Sequence, residues 1–203
     1  AGFRTPEVVA ARAVRAAPWG WKLAVVTRRV PDALDLGQAL AMRRGGQLST
    51  ARWRVLVGEV GRLVAGLHAS GFLHADLTPR NVLVERGSLD AGPPRLWVLD
   101  LDGSRWVEGL GERDRRENLR RLARHVERLG RERGLRVERT DLTRFLRAWQ
   151  PELPARHAAC REIAARSRSR SGLHRGGWWI ERWLGRGRSG AEGHLGRGPS
   201  SGT

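Results

Sequence analysis

His74-Ala75-Asp76-Leu77-Thr78-Pro79-Arg80-Asn81 runs into Val82-Leu83-Val84-Glu85, and a second apolar run, Leu96-Trp97-Val98-Leu99, runs into Asp100-Leu101-Asp102. The two runs are similar in length and rich in β-branched and aliphatic residues, and turn-forming residues from Arg86 to Pro94 separate them. This pattern predicts an antiparallel hairpin. The residue before the first strand and the residue after the second then lie side by side. Asn81 and Asp100 are therefore expected to converge, with Asp76 just upstream in the loop.

A loop carboxylate, an amide closing the loop and a second carboxylate across a hairpin match the needs of phosphoryl transfer. That chemistry requires one carboxylate to orient the acceptor hydroxyl and take its proton, and further oxygen ligands to hold a divalent cation against the phosphates of ATP. Asp76 fits the first role. Asn81 and Asp100 fit the second, with Mg²⁺ or Mn²⁺ as the ion. A lone His-x-Asp carries little information, but the joint pattern of loop, matched strands and following aspartate is specific.

Working outward, Ser49 or Thr50 can cap a helix in which Trp53, Leu56, Val57, Val60, Leu63, Val64 and Leu67 recur at three- and four-residue steps, with Gly71 as its stop. Upstream, Val8 to Val14 and Trp21 to Val26 read as two short strands around a turn-like junction from Ala16 to Gly20. After Val30-Pro31-Asp32, the residues Leu34, Leu36, Ala39 and Leu40 suggest a short helix ending near Arg44-Gly45-Gly46. Downstream, three helices are expected: one through Leu119, Leu122, Ala123, Val126 and Leu129, one through Leu142, Phe145, Leu146 and Trp149, and one over Ala158 to Ala165. The body after Pro31 is thus mainly helical.

A chain of 203 residues can bury one sizeable core. Nine tryptophans and 40% apolar content support a folded body. Cys160 is the only cysteine, so no internal disulfide forms and a reducing compartment is expected. The absence of any membrane-spanning run or signal pattern leads us to expect a soluble or peripheral cytoplasmic protein. The net charge of +17 points to an anionic partner such as phosphates, nucleic acid or an acidic membrane surface. Almost all of that charge is arginine, Lys22 being the sole lysine, so the bias is equally explained by the nucleotide composition of the source genome.

His74-Ala75-Asp76-Leu77 through Asn81, with Leu99-Asp100-Leu101-Asp102, resembles the lipopolysaccharide kinases, the group that phosphorylates 3-deoxy-D-manno-octulosonic acid (Kdo) and inner-core heptose. Gly2-Phe3-Arg4-Thr5-Pro6 looks like that family's link from the αC helix to the fourth strand, and Val26 to Ala33 looks like its fifth strand and hinge. The resemblance implies an α+β, protein-kinase-like fold. It would comprise mainly the α-helical C-lobe, the last strands of the N-lobe and a catalytic β-hairpin. The expected divisions are residues 1–30 as the N-lobe remnant, 31–165 as the C-lobe, 166–184 as an Arg/Trp-rich segment and 185–203 as a disordered tail.

By position, the resemblance makes Asp76 the catalytic base, Asn81 and Asp100 metal ligands, and His74 a scaffold residue bonded to backbone. Thr27, Arg28, Arg29 and Val30 would meet the adenine of ATP through backbone groups. Arg80 would either stabilise developing phosphate charge or brace the loop by a salt bridge. The acceptor would be a hydroxyl of a lipopolysaccharide core sugar, and the protein would sit at the inner face of the cytoplasmic membrane. Asp102 in place of the glycine of the common Asp-Phe-Gly motif, and Thr78 in place of a lysine, fit this group better than regulated protein kinases. No glycine-rich phosphate loop, partnered strand lysine or helix glutamate is visible, which leads us to expect an N-terminally truncated kinase of uncertain activity. A kinase for protein or small molecules on the same fold, and a non-catalytic pseudokinase or Arg-rich nucleic-acid- or membrane-binding module, are the alternatives.

His68, His74, His125, His157, His174 and His194 lack the spacing of a zinc site. Cys160 reads as a packed residue. An island from Trp178 to Leu184, flanked by arginines, suits either an anionic membrane interface or a helix packed on the C-lobe. The Arg/Ser repeat from Arg166 to Ser171 is a weak signal for nucleic acid.

Overall fold

The computed structural model describes residues 2–17, 20–152 and 154–161. Strands β1 (Val8–Ala17) and β2 (Gly20–Thr27) pair as the expected antiparallel hairpin, with Val14 opposite Lys22. Both faces of the hairpin are open, and Val8, Trp21, Leu23 and Val26 are exposed. Lys22 is exposed as well, a solvated strand residue as its sequence position suggests.

The next segment departs from expectation. Leu34 belongs to a short strand, β3 (Ala33–Asp35), opposite Val84, and helix α1 (Leu36–Arg44) begins only after it. The cause is a capping box: Asp35 Oδ1 accepts the Gln38 backbone N–H at 2.8 Å, and Gln38 Oε1 accepts the Asp35 N–H at 2.8 Å. These bonds satisfy donors that a helix start leaves open and so fix the boundary at Asp35. The helix ends at Gly45, as read from the sequence.

Helix α2 (Thr50–Ala69) is the spine of the molecule. Ser49 caps it, its hydroxyl accepting the Arg52 N–H at 3.2 Å, and Gly71 turns the chain away with φ of 77°. Its buried face feeds three adjoining apolar clusters in succession. Trp53, Leu56, Val57 and Val60 meet Leu34, Leu40 and Leu89; Val64 meets Leu77, Leu119, Leu122 and Leu146; Leu67 meets Phe72 and Val98. Each such side chain contributes roughly 1.5–3 kcal/mol on burial, so the periodic stripe outweighs any local propensity.

Strands β4 (Phe72–Leu73), β5 (Val82–Glu85), β6 (Leu96–Val98) and β7 (Arg105–Trp106) follow. β5 and β6 form the expected hairpin, with Val82 opposite Val98. Two pairings were not legible in the sequence: β3 joins the free edge of β5, and β4 pairs with β7. Strands of two or three residues are too short to show an alternation.

Helices α3 (Glu112–Arg133) and α4 (Arg139–Trp149) match the expected positions. Residues 154–161 are helical, covering the described part of the third predicted helix. Gly61 allows α4 to lie close on α2, since a Cβ there would sit 2.5 Å from the Phe145 carbonyl oxygen. The same pair of helices is bridged by Trp53, whose Nε1–H donates to the buried Asp141 Oδ2 at 2.8 Å. The N-terminal segment is also anchored: the Phe3 ring packs at a tilt against Phe72 with centroids 4.8 Å apart, and the Val98 N–H donates to the Arg4 carbonyl at 2.8 Å. The Trp178 to Leu184 island, the Arg/Ser repeat and the predicted tail lie outside the described residues. Among the described residues no helix is long and apolar enough to cross a membrane.

Candidate active site

The loop from His74 to Asn81 connects β4 to β5 and is pinned from below. Leu77 is fully buried among Val64, Val82 and Leu119, and Thr78 and Pro79 are buried beside it. Pro79 opens a 3₁₀ turn over Pro79–Asn81, where its missing N–H and fixed φ suit a first helical position. With these residues anchored, Asp76 and Arg80 are left exposed at the surface. The alternation of buried anchors and exposed polar groups sets the aim of the Asp76 carboxylate.

Asn81 completes the loop. Its Nδ2 donates to the Asp76 carbonyl at 2.8 Å and to the Asp76 carboxylate Oδ2 at 3.3 Å. One amide thus fixes both the backbone and the side chain of the aspartate, and its own Oδ1 accepts no hydrogen bond among the described residues.

His74 is a scaffold residue. Its Nε2–H donates to the Leu99 carbonyl at 2.9 Å, and its Nδ1 accepts the Asp76 N–H at 3.1 Å. These bonds require the neutral ring, and burial lowers its pKa in agreement. Ser104 adds a further tie, its hydroxyl accepting the Ala75 N–H at 3.0 Å.

Behind the loop runs a buried chain of polar groups that sequence reasoning missed. Trp149 Nε1–H donates to His68 Nδ1 at 3.0 Å, His68 Nε2 meets Asn118 Oδ1 at 3.3 Å, and Asn118 Nδ2 donates to the His74 carbonyl at 2.7 Å. The chain links α4, α2 and α3 to the loop from His74 to Asn81. Burial pushes the His68 pKa down to about 4, so the ring is neutral and its Nε2 carries the proton that Asn118 accepts. One signal was available in the sequence: Asn118 is a polar residue directly beside Leu119 and one turn before Leu122 on the apolar face of a helix. Such a residue must find buried partners.

The second carboxylate is offset from the predicted position. β6 ends at Val98, and the residue opposite Asn81 is Leu99, whose N–H donates to the Asn81 carbonyl at 2.9 Å. Asp100 comes one residue later, exposed, in a left-handed turn with φ of 55°. The ladder therefore closes one pair earlier than the hairpin argument assumed, and a turn at Asp100, not strand pairing, sets its direction. Asp100 and Asp76 nonetheless both act electrostatically on His74. Asp102 lies exposed in the turn that follows.

Thr27, Arg28, Arg29 and Val30 line a cavity of about 250 Å³ together with Pro6, Ala33, Leu83 and Leu99. Its walls are largely apolar. The Arg28 N–H is committed to the Glu7 carbonyl at 2.8 Å and its guanidinium to the Glu7 carboxylate at 2.7 Å. Arg29 and Val30 make no backbone hydrogen bond among the described residues. Arg80 makes no salt bridge among the described residues.

The sequence pattern of the lipopolysaccharide kinase (Kdo/WaaP) family matches residues 1–149. The chain belongs to that family. The 3-deoxy-D-manno-octulosonic acid kinase of Actinobacillus succinogenes is 28% identical over 150 residues, covering 74% of this chain and 58% of that protein. The enzyme of the same name from Stenotrophomonas maltophilia is 31% identical over 131 residues, 64% of this chain and 46% of that protein. The chain thus spans about half the length of these relatives. The solved structure of WaaP in complex with acyl carrier protein superposes with a TM-score of 0.63 at 23% identity, covering 91% of this chain and 69% of that one. The α+β, protein-kinase-like fold expected from the motifs is the fold of this Kdo/WaaP family member.

Proposed function

We propose that the protein transfers the terminal phosphoryl group of ATP to a hydroxyl of a lipopolysaccharide core sugar, either Kdo or a heptose. The observation that carries this reading is the loop geometry, in which buried anchors present an exposed Asp76 whose carboxylate and carbonyl are both held by Asn81. Asp76 orients the acceptor hydroxyl and takes its proton. The bond that forms joins the acceptor oxygen to the γ-phosphorus, and the bond that breaks is the bridging P–O bond to ADP. The neutral His74 holds the Asp76 backbone and leaves the carboxylate free for the hydroxyl. Arg80, exposed and unpaired among the described residues, faces the charge that develops on the transferred group.

The hinge cavity receives adenine against Val30, Ala33, Leu83 and Leu99, with the backbone of Arg29 and Val30 at its polar edge. The donor set at the loop fits a hard divalent cation such as Mg²⁺ or Mn²⁺. Asn81 and Asp100 offer oxygens only, and no group of three or more His, Cys, Asp or Glu among the described residues forms a ready-made cage. That is the expected pattern for an ion shared with substrate phosphates. When bound, the ion neutralises phosphate charge. An acceptor carried on a lipid places the reaction at a membrane surface, and the net charge of +17 favours an anionic one.

The test is transfer from γ-labelled ATP to a Kdo-bearing lipid A precursor by the full-length protein. Asp76→Ala is expected to lower transfer by about 10²–10⁴-fold with the fold retained. Near-normal phosphorylation by that variant sinks the assignment.

A further inference from the structure

Asp100 lies in a segment that strand pairing does not hold. β6 ends at Val98 and β7 begins at Arg105. Between them Asp100 has φ of 55° and Gly103 φ of 65°. Glycine takes that conformation freely, whereas an aspartate in it is kept there by its surroundings. One backbone bond closes a turn inside the segment, the Ser104 N–H donating to the Leu101 carbonyl at 3.0 Å.

Two further bonds cross to the loop from His74 to Asn81, and both reach the dipeptide before Asp76. At one end the His74 Nε2–H donates to the Leu99 carbonyl at 2.9 Å; at the other the Ala75 N–H donates to the Ser104 hydroxyl at 3.0 Å. Asp100 is therefore bracketed between Leu99 and Ser104, with both pegs set in the two residues that lead into Asp76. The serine stands where the ladder of β4 and β7 gives out. Its last pair is Leu73 with Arg105, and beyond it the Ser104 side chain supplies the acceptor for the next loop amide. Packing does not replace that bond. A cavity of about 320 Å³, lined by Ala75, Gly103, Arg105 and Arg121 among others, opens beside the segment. Gly103 approaches the loop closely, since a Cβ there would stand 3.4 Å from the Ala75 side chain.

We propose that Ser104 is a positioning residue for phosphoryl transfer, fixing Asp100 relative to Asp76 through its hydrogen bond with the Ala75 N–H. The inference rests on the kinase reading and adds to it how the two carboxylates are kept in register. The Ser104 hydroxyl need touch no reacting atom. Its loss frees one end of the bracket while His74 still holds the other, so Asp100 shifts and the loop stays. A divalent ion held by Asn81 and Asp100 then meets one of its oxygens out of place, the effect that follows when the partner orienting a ligand is removed.

The test uses the full-length protein and three variants. Ser104→Ala removes the acceptor, Ser104→Thr keeps it, and Gly103→Ala leaves the hydroxyl but sets a Cβ at a left-handed position against Ala75. Binding of Mn²⁺ in the presence of ADP, read from the electron paramagnetic resonance of the free ion, is expected to weaken about tenfold in Ser104→Ala and Gly103→Ala. In the same two variants kcat for transfer from γ-labelled ATP is expected to fall about 10- to 100-fold. Ser104→Thr is expected to behave as wild type in both assays. In the protein without nucleotide or metal, the Ala75 amide is expected to exchange with solvent faster in Ser104→Ala than in Ser104→Thr. Should Ser104→Ala fail to fold, Gly103→Ala carries the test. Unaltered Mn²⁺ binding and kcat in the folded variants, with wild type active, overturn the role of Ser104 while the kinase reading stands. Equal losses in Ser104→Ala and Ser104→Thr overturn it too, because the hydroxyl is then not what acts. If wild type transfers no phosphate, the kinase reading falls and this one with it.

Discussion

Replacing Asn118 with alanine removes the side chain whose hydrogen bonds join His68 of α2 to the loop from His74 to Asn81. Two buried groups lose their partners: the His74 carbonyl, which accepts Asn118 Nδ2 at 2.7 Å, and the His68 Nε2–H, which meets Asn118 Oδ1 at 3.3 Å. An orphaned buried polar group costs about 1–3 kcal/mol, which sets a range of about 2–6 kcal/mol for the pair. The two sites do not contribute equally. Asn118 borders the 320 Å³ cavity, so water can replace its amide at the His74 carbonyl. His68 is only 2% exposed and sits deeper, where the loss is uncompensated. The expected destabilisation is therefore near the low end, about 2–3 kcal/mol. Equilibrium urea unfolding at pH 7.5, fitted with a common slope, measures it. In the enzyme assay the same variant is expected to lose kcat more than it raises the KM for ATP, because the loop carrying Asp76 is loosened while the hinge cavity is untouched. A midpoint shift equivalent to less than about 0.5 kcal/mol refutes the idea that the buried chain anchors the loop.

His68 also makes stability depend on pH. Its folded pKa, about 4, lies below the ordinary value of 6.5, so the unfolded chain binds the proton more readily between these values. The stabilisation is complete above pH 6.5 and is lost as pH falls toward 4, by up to about 3 kcal/mol. Unfolding midpoints between pH 7.5 and 4.5 are expected to fall, and to fall less in His68→Gln; equal slopes in the two proteins contradict the assignment. Gly61→Ala tests the contact of α2 and α4, since the added Cβ meets the Phe145 carbonyl at 2.5 Å and the Ala148 Cβ at 2.8 Å. It is expected to cost about 2–3 kcal/mol in thermal or urea unfolding although alanine is the better helix former, and a stabilised variant would show that the helices are not in this contact.

The sequence alone determined the parts of this protein whose signals are local. The stripe from Trp53 to Leu67 gave α2, the Ser49 cap and Gly71 bounded it, and the turn residues from Arg86 to Pro94 between two matched apolar runs gave the hairpin of β5 and β6. The loop from His74 to Asn81 was legible for the same reason: the chemistry proposed for it demands particular residue types at fixed spacing. The periodic apolar face of α3 was legible too, but not the purpose of Asn118 within it.

Only the tertiary structure decided how distant pieces meet. It added β3 to the hairpin, joined β4 to β7, and placed Asp100 one residue beyond the strand pair that the hairpin argument implied. It also brought Trp149, His68 and Asn118 into one buried chain behind Asp76. Two-residue strands carry no periodicity, and a buried hydrogen bond between side chains on three helices leaves no mark in sequence spacing. Such features arise from packing, where a polar group removed from water must find its partner wherever the fold supplies one. The residues of the loop match those that the proposed phosphoryl transfer requires, while its anchoring on α2, α3 and α4, and the cavity that Arg105 and Arg121 line beside it, exist only in the folded chain.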